Sequence, residues 1–90
     1  MAMYVFRWNE WNIEHIAKHG VTPSEAEEAV RRARRPYPRT RGEGKWQVRG
    51  QTAAGRYLQV IFLIEEDGTA YVIHARPLRD GEKKSIRGRR

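Results

Sequence analysis

The chain has no cysteine in its 90 residues, so neither a disulfide framework nor a thiolate metal site contributes to it, a composition that suits the cytosol. It has no long apolar run either. The longest is far too short to span a bilayer, and the opening MAMYVFRWNEW has no apolar h-region, so neither a membrane anchor nor a secretory signal is expected. Acids are scarce where bases are dense. Between Ala29 and Ile64 stand nine bases (Arg31, Arg32, Arg34, Arg35, Arg39, Arg41, Lys45, Arg49, Arg56) and one acid, Glu43. From His74 to Arg90 there are seven more bases against Asp80 and Glu82, whereas the first 28 residues carry five Glu against Arg7 and Lys18. A net charge of +7 gathered in this way points to a polyanionic partner. Fourteen of the 18 bases are Arg, the side chain that binds phosphate through two donors at once. The plainer reading of the same charge is a solvated, thermophile-like surface.

Ninety residues bury one modest core, so a single domain over 1–90 is expected. Met3 to Arg7 is a short β-prone run suited to an edge strand. Asn9 can cap a helix that runs to about His19, with Gly20 ending it. Helical spacing puts Asn9, Ile13, Ile16 and Ala17 on one face and Trp11, His15 and Lys18 on the other. Thr22, Pro23 and Glu25 form the capping box of a second helix, and Ala26, Ala29, Val30 and Ala33 make its buried stripe. Its acids lie near the positive end and Arg31 to Arg35 near the negative end, so part of the arginine cluster has a structural reason. Pro36 and Pro38 stop the helix.

Arg39 to Gly44 reads as a mobile basic loop. Three strands follow: Lys45 to Thr52, Arg56 to Glu65 after an Ala53-Ala54-Gly55 turn, and Thr69 to Arg76 after Asp67-Gly68. The fold expected is α+β, in the order β-α-α-β-β-β-(α), with two helices packed on one face of an antiparallel sheet. Gly81, Gly88 and the closing Arg-Arg favour a frayed basic tail over about 79–90.

Alternation gathers Lys45, Gln47, Arg49, Tyr57, Gln59, His74 and Arg76 on the other sheet face, with no carboxylate among them. Metal-dependent nucleases cluster Asp and Glu, which this face does not offer. RNA supplies its own nucleophile, the 2′-OH, so its cleavage needs only a base, an acid and cations that stabilise the phosphoryl oxygens. On this reading His74 carries the proton, and Arg76, Arg49, Lys45 and Arg56 hold the phosphate. Arg35, Arg39, Arg41, Tyr57 and Lys83 extend the RNA-binding surface, and neither a metal nor a cofactor is called for. His15 and His19 stand four apart on a helix, a spacing that can hold a metal, but no neighbouring carboxylate motif completes it. Trp11 and Trp46 offer apolar anchors to a protein partner, although Trp11 also suits packing under a strand. The rival reading is a non-catalytic basic module that binds nucleic acid or an acidic protein partner.

The runs RWNEWNIEHIAKHGV, GKWQVRGQTAAGRYLQVIF and YVIHARPLRDGEKK, in that order, resemble the BrnT-type toxin family. These are small ribonucleases of type II toxin–antitoxin modules with a fold similar to the RelE toxins. The resemblance implies cleavage of RNA in the cytoplasm, neutralisation by a cognate antitoxin, and autoregulation through that antitoxin's DNA-binding domain. It carries functional weight onto His19, Lys45, Arg56, Arg76 and Glu82. The chain departs from the family pattern at His74, where relatives carry Ser, at His15 in place of Asn, and at Ile86 in place of an aromatic.

Overall fold

The computed structural model of the chain describes residues 3–87. It is an α+β fold: a five-stranded mixed sheet with three helices, in the order β1 (Phe6–Arg7), α1 (Glu10–Ala17), α2 (Pro23–Arg32), β2 (Arg39–Gly42), β3 (Lys45–Gln51), β4 (Tyr57–Ile64), β5 (Ala70–Pro77) and α3 (Asp80–Arg87). The sheet order is β1-β5-β4-β3-β2. Among the described residues no helix is long and apolar enough to cross a membrane.

Two sequence expectations fail. The run from Arg39 is not a loop: Arg39 pairs with Gln47 and Thr40 with Trp46 as an antiparallel edge strand. A charged strand is stable at an edge, where both its faces and its free backbone meet water. The turn that returns the chain to β3 uses Gly42, Glu43 and Gly44, all at positive φ. The sheet is therefore larger than expected, and it is mixed, because β1 runs parallel to β5. The third helix, α3, lies over the face opposite α1 and α2, where Glu82 meets Arg49 and Arg76. The tail beyond it, 88–90, falls outside the described residues.

The helix starts follow the sequence. The Asn9 side chain accepts from the Asn12 amide at 3.1 Å, and the Asn12 carboxamide oxygen accepts from the Asn9 amide at 2.8 Å. Thr22 and Glu25 cap α2 reciprocally in the same way. The inner face of α1 differs from the expected stripe: Asn12 and Ile16 are buried, while Ile13 is 41% exposed. The cause is the Asn12 carboxamide, whose Nδ2 donates to the carbonyls of Arg7 and Val72, both at 3.1 Å. That pair of bonds turns the helix so that Asn12, rather than Ile13, meets the sheet.

On α2 the expected small stripe holds. Ala26, Ala29 and Val30 are buried against Val48, Leu58, Val60 and Phe62. The approach is close enough that a Cβ built on Gly50 of β3 would collide with the Ala29 carbonyl oxygen. Both sides of that approach are backbone, so neither can turn aside. We expect Gly50→Ala to destabilise the fold by about 1–3 kcal/mol in urea titration, the range for an overpacked core position. Unchanged stability would mean that α2 shifts freely on the sheet.

Candidate nucleic-acid interface

The face of the sheet away from α1 and α2 is laid out in cross-strand rows. Arg49, Gln59 and Arg76 are directly opposite one another across β3, β4 and β5, and Gln47, Ile61 and His74 form the next row. Lys45, Leu63 and Tyr71 form a third. Simple alternation would put Tyr71 and His74 on opposite faces. A bulge in β5, where Ile61 pairs with His74 but Phe62 with Val72, brings both to the same one. Sequence spacing holds no sign of it.

Contrary to the sequence expectation, a carboxylate stands on this face. It arrives on α3, not on a strand. Arg76 forks onto Glu82 through Nη1 at 2.8 Å and Nη2 at 2.7 Å, and Arg49 Nη2 approaches the same carboxylate at 3.5 Å. Glu82 also accepts the Arg79 backbone N–H at 2.8 Å and so caps the helix that carries it. These donors, Arg76 first, hold the Glu82 carboxyl down to about 2, although its side chain is 18% exposed. Below the fork, the Gln59 side-chain oxygen accepts from Gln47 Nε2 at 2.8 Å and Arg49 Nε at 3.2 Å. The two arginines are thus fixed in place, and the trio with Glu82 keeps one positive charge.

His74 is half-buried beside this network. Burial lowers its pKa, and the nearby charges of His19, Arg76, His15 and Arg41 lower it further, which favours the neutral ring. The His19 ring stands edge-on to it, with centroids 5.6 Å apart. The outward stripe of α1 runs alongside β5: Trp11 stacks on His15 at 4.7 Å and on Tyr71 at 6.4 Å, and the Arg7 guanidinium lies 4.1 Å over the Tyr71 ring. Trp11 remains 53% exposed.

No protein-family model, curated protein or solved structure matches this chain. Lys45 is half-exposed and 3.9 Å from the solvent-facing Glu43. Arg41 is the bulged residue of β2, and Arg39, opposite Gln47, lies 6.0 Å from the Tyr37 ring. Arg35 and Arg41 are exposed, with no carboxylate partner among the described residues. Lys83 brings Nζ to 5.5 Å from the Tyr57 ring and 3.4 Å from Asp80.

Two residues stand elsewhere. Arg56 donates through Nη1 to the Gly20 carbonyl at 2.8 Å and to both Glu25 oxygens, tying the β4 entry to the start of α2 on the helical side. Trp46 packs against the core from β3, opposite in direction to Lys45. Several other arginines are structural: Arg31 pairs with Glu27 at 2.9 Å and Arg32 donates to the Gln51 carbonyl at 3.0 Å. Among the described residues no group of three or more His, Cys, Asp or Glu is arranged to hold a metal ion.

The Glu82 shift has a sign. Because its folded pKa lies below the ordinary value of 4.5, it adds stability above the unfolded pKa that disappears as pH falls toward about 2. Glu65, held by Arg7, titrates down to about 2 as well, so a global melt would mix the two. Amide exchange confined to α3 separates them. Protection of the α3 amides, taken relative to their intrinsic exchange at each pH, should fall between about pH 4.5 and 2, and Glu82→Gln should remove that dependence. Equal α3 protection across the range would show that the fork does not hold the helix.

Proposed function

We propose that the chain is a metal-independent ribonuclease, the toxin of a type II toxin–antitoxin pair of the BrnT type with a RelE-like fold, acting on RNA in the cytoplasm. The observation that carries this reading is a half-buried imidazole, His74, set on an open sheet face in the row next to Arg76 and edge-on to a second imidazole, His19, with its pKa lowered by burial and nearby cations. A neutral imidazole is the form that accepts a proton from the 2′-OH. The attacking oxygen and the leaving oxygen both belong to the RNA, so the protein's task is proton transfer and charge stabilisation. Arg41 and, beside the solvent-facing Glu43, Lys45 offer charge to the phosphate, and Arg76 and Arg49 offer what Glu82 leaves. Arg35 and Arg39 bind further phosphates without sequence preference, and Tyr57 and Lys83 extend the face toward α3. Arg56 serves the fold, through Glu25, and has no direct part in the chemistry.

A cytoplasmic ribonuclease needs a cover, and the cognate antitoxin, a protein with its own DNA-binding domain, fills that role. It brings carboxylates to Lys45 and Arg41 and an apolar anchor to Trp11, which the outward stripe of α1 leaves exposed. Trp46, packed on the core, is the weaker anchor of the two.

The second reading, a non-catalytic module that binds nucleic acid or an acidic protein, is favoured by the Arg76–Glu82 fork, which already satisfies the best phosphate ligand. The two separate on incubation with RNA in excess EDTA. The enzyme yields 2′,3′-cyclic phosphate and 5′-hydroxyl ends, and His74→Ala slows cleavage by about 10²–10⁴-fold with the fold intact. Intact RNA, bound tightly and in a salt-sensitive way, selects the module. In either case Arg39→Gln with Arg41→Gln should lower the slope of log affinity against log salt by up to about 0.7 for each phosphate no longer neutralised. An unaltered slope removes β2 from the RNA surface.

A further inference from the structure

Cleavage through the 2′-OH needs two proton carriers, and His74 is one. We infer that His19, at the end of α1, is the second: it gives the leaving 5′-oxygen its proton while His74 takes the proton from the 2′-OH. The inference rests on the ribonuclease reading and adds a catalytic residue to it. Its basis is the placement of the two rings, 5.6 Å apart and inclined at 63°, one on β5 and the other on the turn after α1. Two imidazoles at that spacing can reach opposite sides of one phosphodiester.

The other groups nearby are unsuited to the task. Glu82 is held ionised by Arg76 and Arg49, so it has no proton to give. Arg76, Arg41 and Arg49 keep their protons throughout the working range. His15 is stacked on Trp11 with parallel rings, 4.7 Å between centroids. Tyr57 lies at the far end of the face, beside Lys83. His19 is exposed, so it exchanges its proton with water, and it sits next to the half-buried imidazole. The half-buried ring on β5 is placed to accept and the exposed ring of His19, open to water, to donate.

The step balances without a further reagent. The 2′-oxygen bonds to phosphorus as its proton passes to His74. The bond from phosphorus to the 5′-oxygen breaks, its electron pair stays on that oxygen, and protonated His19 supplies the proton that makes the 5′-hydroxyl. The two imidazoles end with their proton states exchanged, and water resets them. Around the pair, Arg76 on β5, Arg41 on β2 and His15 on α1 are the charged or titratable groups that face His74. All are cationic when charged, so they favour the neutral His74 ring and the phosphorane's negative oxygens.

The test is His19→Gln, assayed on ordinary RNA and on the same RNA with sulfur in place of the bridging 5′-oxygen. Thiolate leaves without protonation, so it bypasses a missing acid. We expect about a 10²–10⁴-fold loss on ordinary RNA, a rate close to the unaltered protein's on the thio substrate, and disappearance of the alkaline limb of the pH–rate profile. His74→Gln should be slow on both substrates. The His19 amide bonds to the Ile16 carbonyl at 3.0 Å through the main chain, which Gln retains, so the melting temperature should not move. An unchanged rate on ordinary RNA, or equal loss on both substrates, would overturn the role given to His19 while leaving the ribonuclease reading in place. Failure of the unaltered chain to cleave either substrate overturns that reading and this inference with it.

Discussion

One buried carboxamide fixes where the parts of this molecule lie. Asn12 is fully enclosed, and its side chain is engaged by three backbone partners: the Asn9 amide, the Arg7 carbonyl and the Val72 carbonyl. Those three belong to the start of α1, the end of β1 and the middle of β5. An amide left without such partners in an apolar interior costs about 1–3 kcal/mol, so the bonds define one rotation of α1 against the sheet rather than several. The consequences run outward from there. Ile16 enters the core, Trp11 meets Tyr71, and the end of the helix brings His19 to the edge of His74. A leucine in place of Asn12 could fill the space but would not choose the rotation.

The same logic of fixed placement governs the charges. The +7 of the chain is not spread as a uniform coat. On the helical side arginines are consumed by structure: Arg56 on Glu25 and Gly20, Arg31 on Glu27, Arg32 on the β3 end. On the open face Arg49 and Arg76 are locked by Glu82 and Gln59, which holds their guanidinium planes but lowers their net charge. A partly buried ion pair of this kind is better understood as a positioning device than as a source of stability. What remains for a polyanion on this face is the more exposed charge of Arg39, Arg41 and Lys45 beside an imidazole pair. This division accounts for a protein that is strongly basic yet has a well-ordered, partly neutralised centre.

Much of this was legible in the residues. The Asn9 cap, the Thr22–Glu25 capping box, the small-residue stripe of α2, the alternation of β3 and β4 and the meeting of Arg49, Gln59 and Arg76 follow from local rules with short reach. What escaped has physical causes of longer reach. The Arg-Thr-Arg run of β2 has no strand-like pattern, because an edge strand exposed on both sides needs none. The bulge at Ile73 is a register event, invisible without a partner strand, and it alone brings Tyr71 to the open face. Glu82 lies six residues past Arg76 on a different element, so strand alternation could not reveal that it folds back over the sheet. His15 and His19 stand out in the sequence for their spacing on the helix, whereas their neighbour His74 comes from the far end of the chain.

The open face of β3, β4 and β5, rather than the arginine-rich end of α2, is where RNA lies on this account. That claim is tested most directly by NMR titration with an oligoribonucleotide whose 2′-hydroxyls are methylated, so that it binds without reacting. Side-chain signals are the ones to follow, because they report one face of the sheet. The account predicts shifts at the His74 and His19 imidazoles, the Gln47 and Gln59 carboxamides and the Arg49 and Arg76 guanidinium groups, with Arg31, Arg32 and Arg56 unmoved. Shifts confined to Arg31 through Arg35, with His74 and Arg76 silent, would contradict it.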